Sequence, residues 1–170
     1  PPADRRRRMS GGGGSDGRTR RPGIGALLAR GPGGGLPPPA PIDFPKLVLP
    51  ATPNAFLAAP ESHPGPKHRA LPPLDLPAER VWRALRGLAA DFPRTWRRAE
   101  WPELRQAEWV VRTALMNFPD LVNAQVDALP DGRSVVWLYS RSLFGHSDLG
   151  VNRRRGVAWL AALDAALAPR

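Results

Sequence analysis

The sequence LVNAQVDALPDGRSVVWLYS, residues 121–140, decides the fold. Its first part, Leu121–Leu129, alternates apolar and polar residues, which is the period of a half-buried strand. Pro130-Asp131-Gly132 is a turn signal, and Ser134–Ser140 is rich in residues that favour strands. Because so short a turn joins the two strands, we expect them to form an antiparallel hairpin.

Further elements follow on both sides of this hairpin. Three more strands are predicted, at Leu71–Leu76, Thr95–Trp101 and Gln106–Leu115. A helix is predicted from Pro77 to Pro93, and a second from about Leu149 to Ala168, because apolar residues recur at helical spacing. The order is β-α-β-β-β-β-α. The fold expected is a single small α+β domain, an antiparallel sheet of four to five strands with two helices on one face.

Composition divides the chain into three parts. Residues 1–41 are a basic Pro/Gly-rich arm, expected to be extended. Residues 42–70 are predicted to be an extended strap packed on the domain, since apolar anchors such as Phe44 and Phe56 alternate with prolines. Residues 71–170 form the α+β domain.

The charge of the chain indicates acidic partners. Lys and Arg number 25 against 15 Asp and Glu, a net charge of +10. Much of the excess lies in the arm, whose expected contact residues are Arg5, Arg6, Arg7, Arg8, Arg18, Arg20 and Arg21. A protein partner or multi-subunit complex is expected to hold residues 1–41, and an anionic membrane surface or nucleic acid would also suit them.

Other functions are disfavoured by what the sequence lacks. Without cysteine there is no disulfide or thiolate metal site. No metal is expected at His63 and His68, and no cofactor is predicted. No apolar run approaches the roughly 20 residues of a membrane helix. The expected location is cytoplasmic or peripheral at a membrane surface.

The candidate site is the stretch YSRSLFGHSDLGVNRRR, residues 139–155. Its loop leads into a helix, where Asp148 is the predicted N-cap, worth about 1 kcal/mol. A helix start rich in Arg and His can bind an anion. The candidate binding residues are Arg141, Ser142, His146, Ser147, Asp148, Asn152, Arg153, Arg154 and Arg155. The alternative is a plain helix cap with solvated arginines.

No catalytic residue is predicted. His146, Ser147 and Asp148 are adjacent, but a hydrolase triad also needs a nucleophile on a rigid turn and an oxyanion hole.

The chain has six tryptophans, an unusual number for its length. Trp82, Trp137 and Trp159 are expected to fill the core. Trp96, Trp101 and Trp109 lie near arginines, which suits a core covered by Arg stems, base stacking or a membrane interface.

The run Ser140-Arg141-Ser142, Gly145, Ser147-Asp148-Leu149-Gly150, Asn152 and Arg153–Arg155 resembles the C-terminal signature of domain-of-unknown-function family 1499. Upstream pieces extend the resemblance over roughly residues 42–167. It implies little chemistry, because the family has no established activity. Many members carry an N-terminal membrane helix or export signal, where this chain has the basic arm.

The function expected is that of a non-enzymatic binding or accessory protein, a peripheral subunit docking on a larger assembly, which could be membrane-bound, through its arm. A small anionic-ligand or lipid-binding domain using residues 140–155 is the alternative. A hydrolase using His146 and Asp148, and nucleic-acid binding by the arm, complete the hypotheses.

Overall fold

The computed structural model describes residues 32–169. The strands are β1 (Ala55–Pro60), β2 (Arg69–Leu71), β3 (Thr95–Trp101), β4 (Gln106–Arg112), β5 (Pro119–Ala128) and β6 (Ser134–Ser142). The helices are α1 (Ala78–Gly87) and α2 (Val151–Leu167), and short 3-10 turns lie at Phe44–Lys46, Leu88–Asp91 and Pro102–Leu104. The predicted arm contacts, Arg5–Arg8, Arg18, Arg20 and Arg21, lie outside the described residues.

All six strands form one mixed sheet in the order β2-β1-β6-β5-β4-β3. The α+β class and the β5–β6 hairpin are confirmed, with Val122 opposite Ser140 and Val126 opposite Val136. The sheet has six strands instead of four to five, and β1 and β2 are parallel. The sequence predicted a wholly antiparallel sheet, and this prediction is wrong because β1 and β2 are parallel.

The additional strand is β1, which lies within the stretch expected to be a strap. Its residues from Phe56 to Pro60 are buried on both faces of the sheet, so no alternation of apolar and polar residues marks it as a strand. The strand predicted at Leu71–Leu76 is misplaced. β2 spans Arg69–Leu71 and ends where the predicted strand begins, because Pro72 and Pro73 carry no N–H for a ladder.

Both helices pack on one face of the sheet, as predicted, and we call it the helix face. Val81, Trp82 and Leu85 of α1 and Trp159, Leu160 and Leu163 of α2 meet apolar side chains of β1, β4, β5 and β6. Trp109 of β4 is fully buried there and meets Trp159 edge to face, with ring centroids 5.1 Å apart. The core role expected of Trp82, Trp137 and Trp159 is confirmed, and Trp109 shares it, whereas Trp96 is 40% exposed.

Helix α2 differs from its prediction at its start. It begins at Val151, and its N-cap is Gly150, whose φ of +77° suits glycine. Asp148 is therefore not the N-cap residue. Further along, the helix approaches β1 at Gly156, where any Cβ would clash with the ring of Phe56. Helix α1 ends at Gly87, and a 3-10 turn carries the chain on to Asp91.

Residues 32–49, which we call the covering segment, lie on the other face of the sheet. Over β1 and β6 the contact is apolar, where fully buried Phe44 packs on Trp137 with ring centroids 5.5 Å apart. Over β4 the contact is polar, because Gln106, Glu108 and Arg112 point to this face and are at most 3% exposed. We call this side the segment face.

The covering segment follows β4 in the reverse direction. Gln106 bonds both the N–H (2.6 Å) and the carbonyl (2.9 Å) of Ile42. Arg98 donates to the Pro37 carbonyl at 2.6 Å. Arg112 donates to the carbonyls of Pro32 (3.1 Å) and Gly34 (3.2 Å). Pro32 is thus fixed at the end of the sheet where β4 ends.

Candidate functional site

The signature residues gather where β6 ends and α2 begins. Ser140 and Ser142 point to the helix face because side chains alternate along a strand. They meet Asn152, which is fully buried. Its Nδ2 donates to the Asn54 carbonyl (3.0 Å), to Ser142 Oγ (2.8 Å) and to Asp148 Oδ2 (2.7 Å). Its Oδ1 accepts from Ser140 at 2.5 Å, so the side-chain amide is fully used inside the protein.

Beside Asn152 lies a buried ion pair between Arg155 and Asp120, with Nη2 and Oδ2 2.7 Å apart. Their side chains are 11% and 4% exposed. Arg155 also donates to Asn152 Oδ1 (2.7 Å) and Ser140 Oγ (3.1 Å). Burial raises the pKa of the Asp120 carboxyl, and the charge of Arg155 opposes that rise. Arg155 is therefore committed inside the fold and not held out to a ligand.

Asp148 closes the loop before the helix. Its carboxylate accepts from the N–H groups of Gly150 (2.8 Å) and Asn152 (2.7 Å), so it caps the first turn from two residues before the N-cap. Burial acts to raise the pKa of Asp148, but the hydrogen bonds from Asn152 and Gly150 outweigh it and hold the pKa below its usual range. Ser147 Oγ accepts from the Leu149 N–H in the same loop, at 3.3 Å.

This network consists largely of the residues that form the signature, and the family profile described as "Protein of unknown function (DUF1499)" matches residues 48–163. The chain belongs to this family. The resemblance noted in the sequence is thereby confirmed. No curated protein matches the chain in sequence.

Four of the predicted site residues lie apart from the DUF1499 network. Arg141 points to the segment face, with its guanidinium over the Tyr139 ring at 5.7 Å and its buried Nε without a partner. His146 is exposed, and its side chain makes no hydrogen bond within residues 32–169. Arg153 is likewise exposed without an ion pair in that part of the chain. Arg154 donates only to the Leu149 carbonyl, at 3.0 Å.

The predicted residues therefore form no single site. Ser142, Asp148, Asn152 and Arg155 hold one another, and their polar groups serve the fold. Ser147 caps its own loop, while His146 and Arg153 face solvent. Asp148 accepts from Gly150 and Asn152, and the structure does not place it in a triad with His146.

A groove that the sequence did not predict lies above this network. It lies between the loop of residues 113–118, after β4, and the loop of residues 143–150, after β6. We call this end of the sheet, with its two loops, the loop end. The groove has a volume of about 450 Å³, and its apolar lining is Leu115, Met116, Phe118, Phe144, Leu149 and Val151. Asp120, Ser142 and Asp148 also line it, so the network supports its floor.

Three apolar side chains at the loop end face water. Leu115 is 92% exposed, Leu149 84% and Met116 58%. Leu149 also has a φ of +52°, the left-handed region in which a branched side chain costs roughly 1–2 kcal/mol. In the sequence, the apolar pair Leu115-Met116 in a short loop was the available sign of this exposed surface. That the pair lies close to Leu149 follows only from the fold.

Exposed positive charge surrounds these side chains. Arg153 and Arg154 lie at the start of α2, and Arg94 donates to Asn117 at 2.6 Å in the first loop. The carboxylates that line the groove, Asp120 and Asp148, are taken up by internal bonds. The basic arm also joins the domain here, because Pro32 is held by Arg112 at the end of β4.

Residues 32–169 contain neither a membrane-spanning helix nor a cluster of metal ligands. No helix there is both long and apolar enough to cross a lipid bilayer. No three His, Asp or Glu side chains in that range come together in a way that could hold a metal ion.

Proposed function

We propose that this protein is a non-enzymatic, peripheral binding module that docks on an anionic membrane surface through its loop end. The observation that carries the proposal is the exposure of Leu115, Met116 and Leu149 on two neighbouring loops. A soluble domain rarely exposes several large apolar side chains together unless they meet a membrane or a partner.

The charges at the loop end favour a lipid surface of negative charge. Arg154 donates to the Leu149 carbonyl at 3.0 Å, and Arg153 precedes it in the first turn of α2. The arm, which joins the domain at the same end, carries arginines at 5–8, 18, 20, 21 and 30 against Asp4 and Asp16. Near an anionic surface each basic residue contributes about 1 kcal/mol. Stable attachment needs two such signals, and here apolar side chains and a basic arm would supply them together.

The backbone of Leu149 supports a binding role over a purely structural one. A leucine is held in a conformation that favours glycine or asparagine, and its side chain contributes little to the core because it is 84% exposed. Strain of this kind persists where it serves function. The DUF1499 network would then be the scaffold that holds the loop in this shape, since Asp148 bonds the Gly150 N–H at its end and Asn152 bonds Ser142 at its start.

Within a cell, such a module would act as an accessory protein of a membrane-bound assembly, with the arm reaching over the surface or a neighbouring subunit. The apolar groove at the loop end would receive the outer part of the lipid layer. The proposal assigns no reaction, because the hydroxyl, amide and carboxylate groups beneath the groove bond to one another.

The substitution Leu149→Asn separates binding from folding. Asparagine tolerates the left-handed backbone, so we expect the free energy of unfolding to rise by about 1 kcal/mol. Loss of the apolar side chain should lower vesicle affinity about tenfold, since burying a leucine contributes about 1.5–3 kcal/mol. The measurement is co-sedimentation with phosphatidylcholine vesicles, with and without phosphatidylglycerol, alongside chemical denaturation.

The matched control is Leu104→Asn. Leu104 is 42% exposed and follows β3, at the end of the sheet opposite the loop end. This variant should bind vesicles as the unaltered chain does. The proposal is wrong if the unaltered chain does not bind anionic vesicles, or if Leu104→Asn weakens binding as much as Leu149→Asn.

A further inference from the structure

A second concavity lies at the sheet edge formed by β2, away from the loop end. It is bounded by β2 and the residues that follow it, by the first part of β6 and by the second half of α2. We call it the edge slot. Its volume is about 190 Å³, and it is lined chiefly by Leu74, Val136, Leu160, Leu163, Arg69 and Asp164.

The walls of the slot are fixed by the fold. Leu74 and Ser134 exchange two backbone hydrogen bonds, of 2.8 and 3.1 Å. Ser134 Oγ donates to the Leu76 carbonyl at 2.9 Å, which holds the same stretch against β6. On the opposite wall, Leu160 and Leu163 are anchored in the core, 6% and 3% exposed. A pocket of this kind is formed before any ligand arrives.

The size of the slot limits its occupant. An apolar cavity of about 150 Å³ binds a molecule such as benzene. A space of about 190 Å³ therefore has room for one phenyl ring or one leucine-sized side chain, and not for a long acyl chain. The leucine and valine side chains that line it favour an apolar group.

The charges on the lining indicate what the apolar group is attached to. Arg69 and Asp164 both line the slot. Within residues 32–169 neither side chain makes a hydrogen bond or an ion pair, and they do not pair with each other. The slot thus offers one positive and one negative group beside an apolar space. A ligand with a carboxylate, an ammonium and an apolar side chain matches all three.

We propose that the edge slot binds a free α-amino acid with an apolar side chain. The side chain would fill the space between Leu74, Val136 and Leu163. The carboxylate would pair with Arg69 and the ammonium with Asp164. This site is separate from the loop end, so membrane docking and amino-acid binding stand or fall independently.

The test is a titration of the full chain, followed by NMR, with three probes that share a phenyl group. L-Phenylalanine carries both charges, 3-phenylpropionate only the carboxylate, and phenethylamine only the ammonium. We expect phenylalanine to bind about two- to fivefold more tightly than either analogue, because it makes one exposed ion pair that each analogue lacks. The shifted resonances should include Leu160 and Leu163. This series needs no variant and so does not depend on any variant folding.

Two substitutions assign the charges. Arg69→Gln should abolish the advantage of phenylalanine over phenethylamine, and Asp164→Asn its advantage over 3-phenylpropionate. Arg80→Gln, on the exposed side of α1, is the control and should preserve both preferences. The proposal is overturned if no probe shifts the slot resonances, if all three bind alike, or if the two slot variants behave as Arg80→Gln does.

Discussion

Within residues 32–169, each face of the sheet buries an ion pair, and the two pairs are enclosed in different ways. On the helix face, Arg155 and Asp120 lie between β5, β6 and α2, and Asn152 completes their surroundings. On the segment face, Arg98 pairs with Glu108, whose other oxygen accepts from Asn123 at 3.2 Å. That pair is covered by residues 32–42, which are held by hydrogen bonds to their backbone.

The two ion pairs differ in the part of the chain that shields them from water. Regular elements packed through an apolar core cover the first pair. Residues 32–42, a proline-rich stretch with no helix or strand, cover the second pair, and polar side chains of the sheet hold this stretch in place. Burying a charge is costly unless its partner is present. We therefore expect the helix face to respond to a lost partner by global destabilisation, and the segment face to respond by local opening.

The largest effect is expected for Arg155→Ala. It leaves the Asp120 carboxylate buried without its cation, at a cost of about 3–5 kcal/mol. Chemical denaturation measures the loss. The neighbouring Arg154→Ala serves as control, because Arg154 is exposed and donates only to the Leu149 carbonyl, so its effect should stay within about 0.5 kcal/mol. Equal losses in the two variants would refute the role assigned to the buried pair.

A smaller effect is expected for Arg98→Ala, about 1–3 kcal/mol. Water can reach the Glu108 carboxylate once the covering segment detaches. The carboxylate is then hydrated, so the loss of stability is smaller than for a charge that stays buried. The distinguishing observation is hydrogen exchange at the Ile42 N–H, which donates to Gln106. Exchange there should accelerate in Arg98→Ala and not in Arg97→Ala, because the Arg97 guanidinium pairs with Glu100 on the edge strand β3 and does not contact the covering segment. Unchanged protection at Ile42 would show that Arg98 does not hold the segment.

The smallest effect concerns the β1–β2 edge of the sheet. Burial, with the nearby charge of Arg153, lowers the pKa of His68, and its Nδ1 accepts from the Leu57 N–H at 2.9 Å. The unfolded chain therefore binds this proton more readily, and stability should fall as the pH drops below about 6.5. His68→Gln should flatten that dependence, while exposed His146→Gln should leave it unchanged. A pH profile of unfolding that is the same in both variants would exclude His68 as the cause.

The sequence allowed much of the helix face to be predicted. Alternation of apolar and polar residues marked β5, residues that favour strands marked β6, and helical spacing of apolar residues marked α1 and α2. The DUF1499 signature located Ser142, Asp148, Asn152 and Arg155 correctly as a group. The signature did not reveal that these residues bond to one another. It also did not reveal the ion pair of Arg155 with Asp120, because Asp120 lies on another strand.

On the segment face, the sequence indicated packing of Phe44 against the domain, but not the strand β1 or the polar contacts. β1 is buried on both sides and carries no alternation. Nothing in the string GPGGGLPPPAPI indicates that its carbonyls meet Arg98 and Arg112, because those arginines are some 60 to 80 residues away in sequence. The loop-end groove was missed for the same reason. Leu115 and Leu149 come together only when β4 and β6 are placed in one sheet.

The direction of α2 determines where a fluorophore or a surface tether can be attached without covering the loop end. The helix begins beside the loop end at Val151 and runs 17 residues to Leu167, a length of about 25 Å at 1.5 Å per residue. A fluorophore or surface tether attached after Ala168 therefore leaves the loop end open to vesicles. One attached near Pro32 would sit beside the groove. Immobilising the molecule through its C-terminal side presents Leu115 and Leu149 outward and suits force or binding measurements on single molecules.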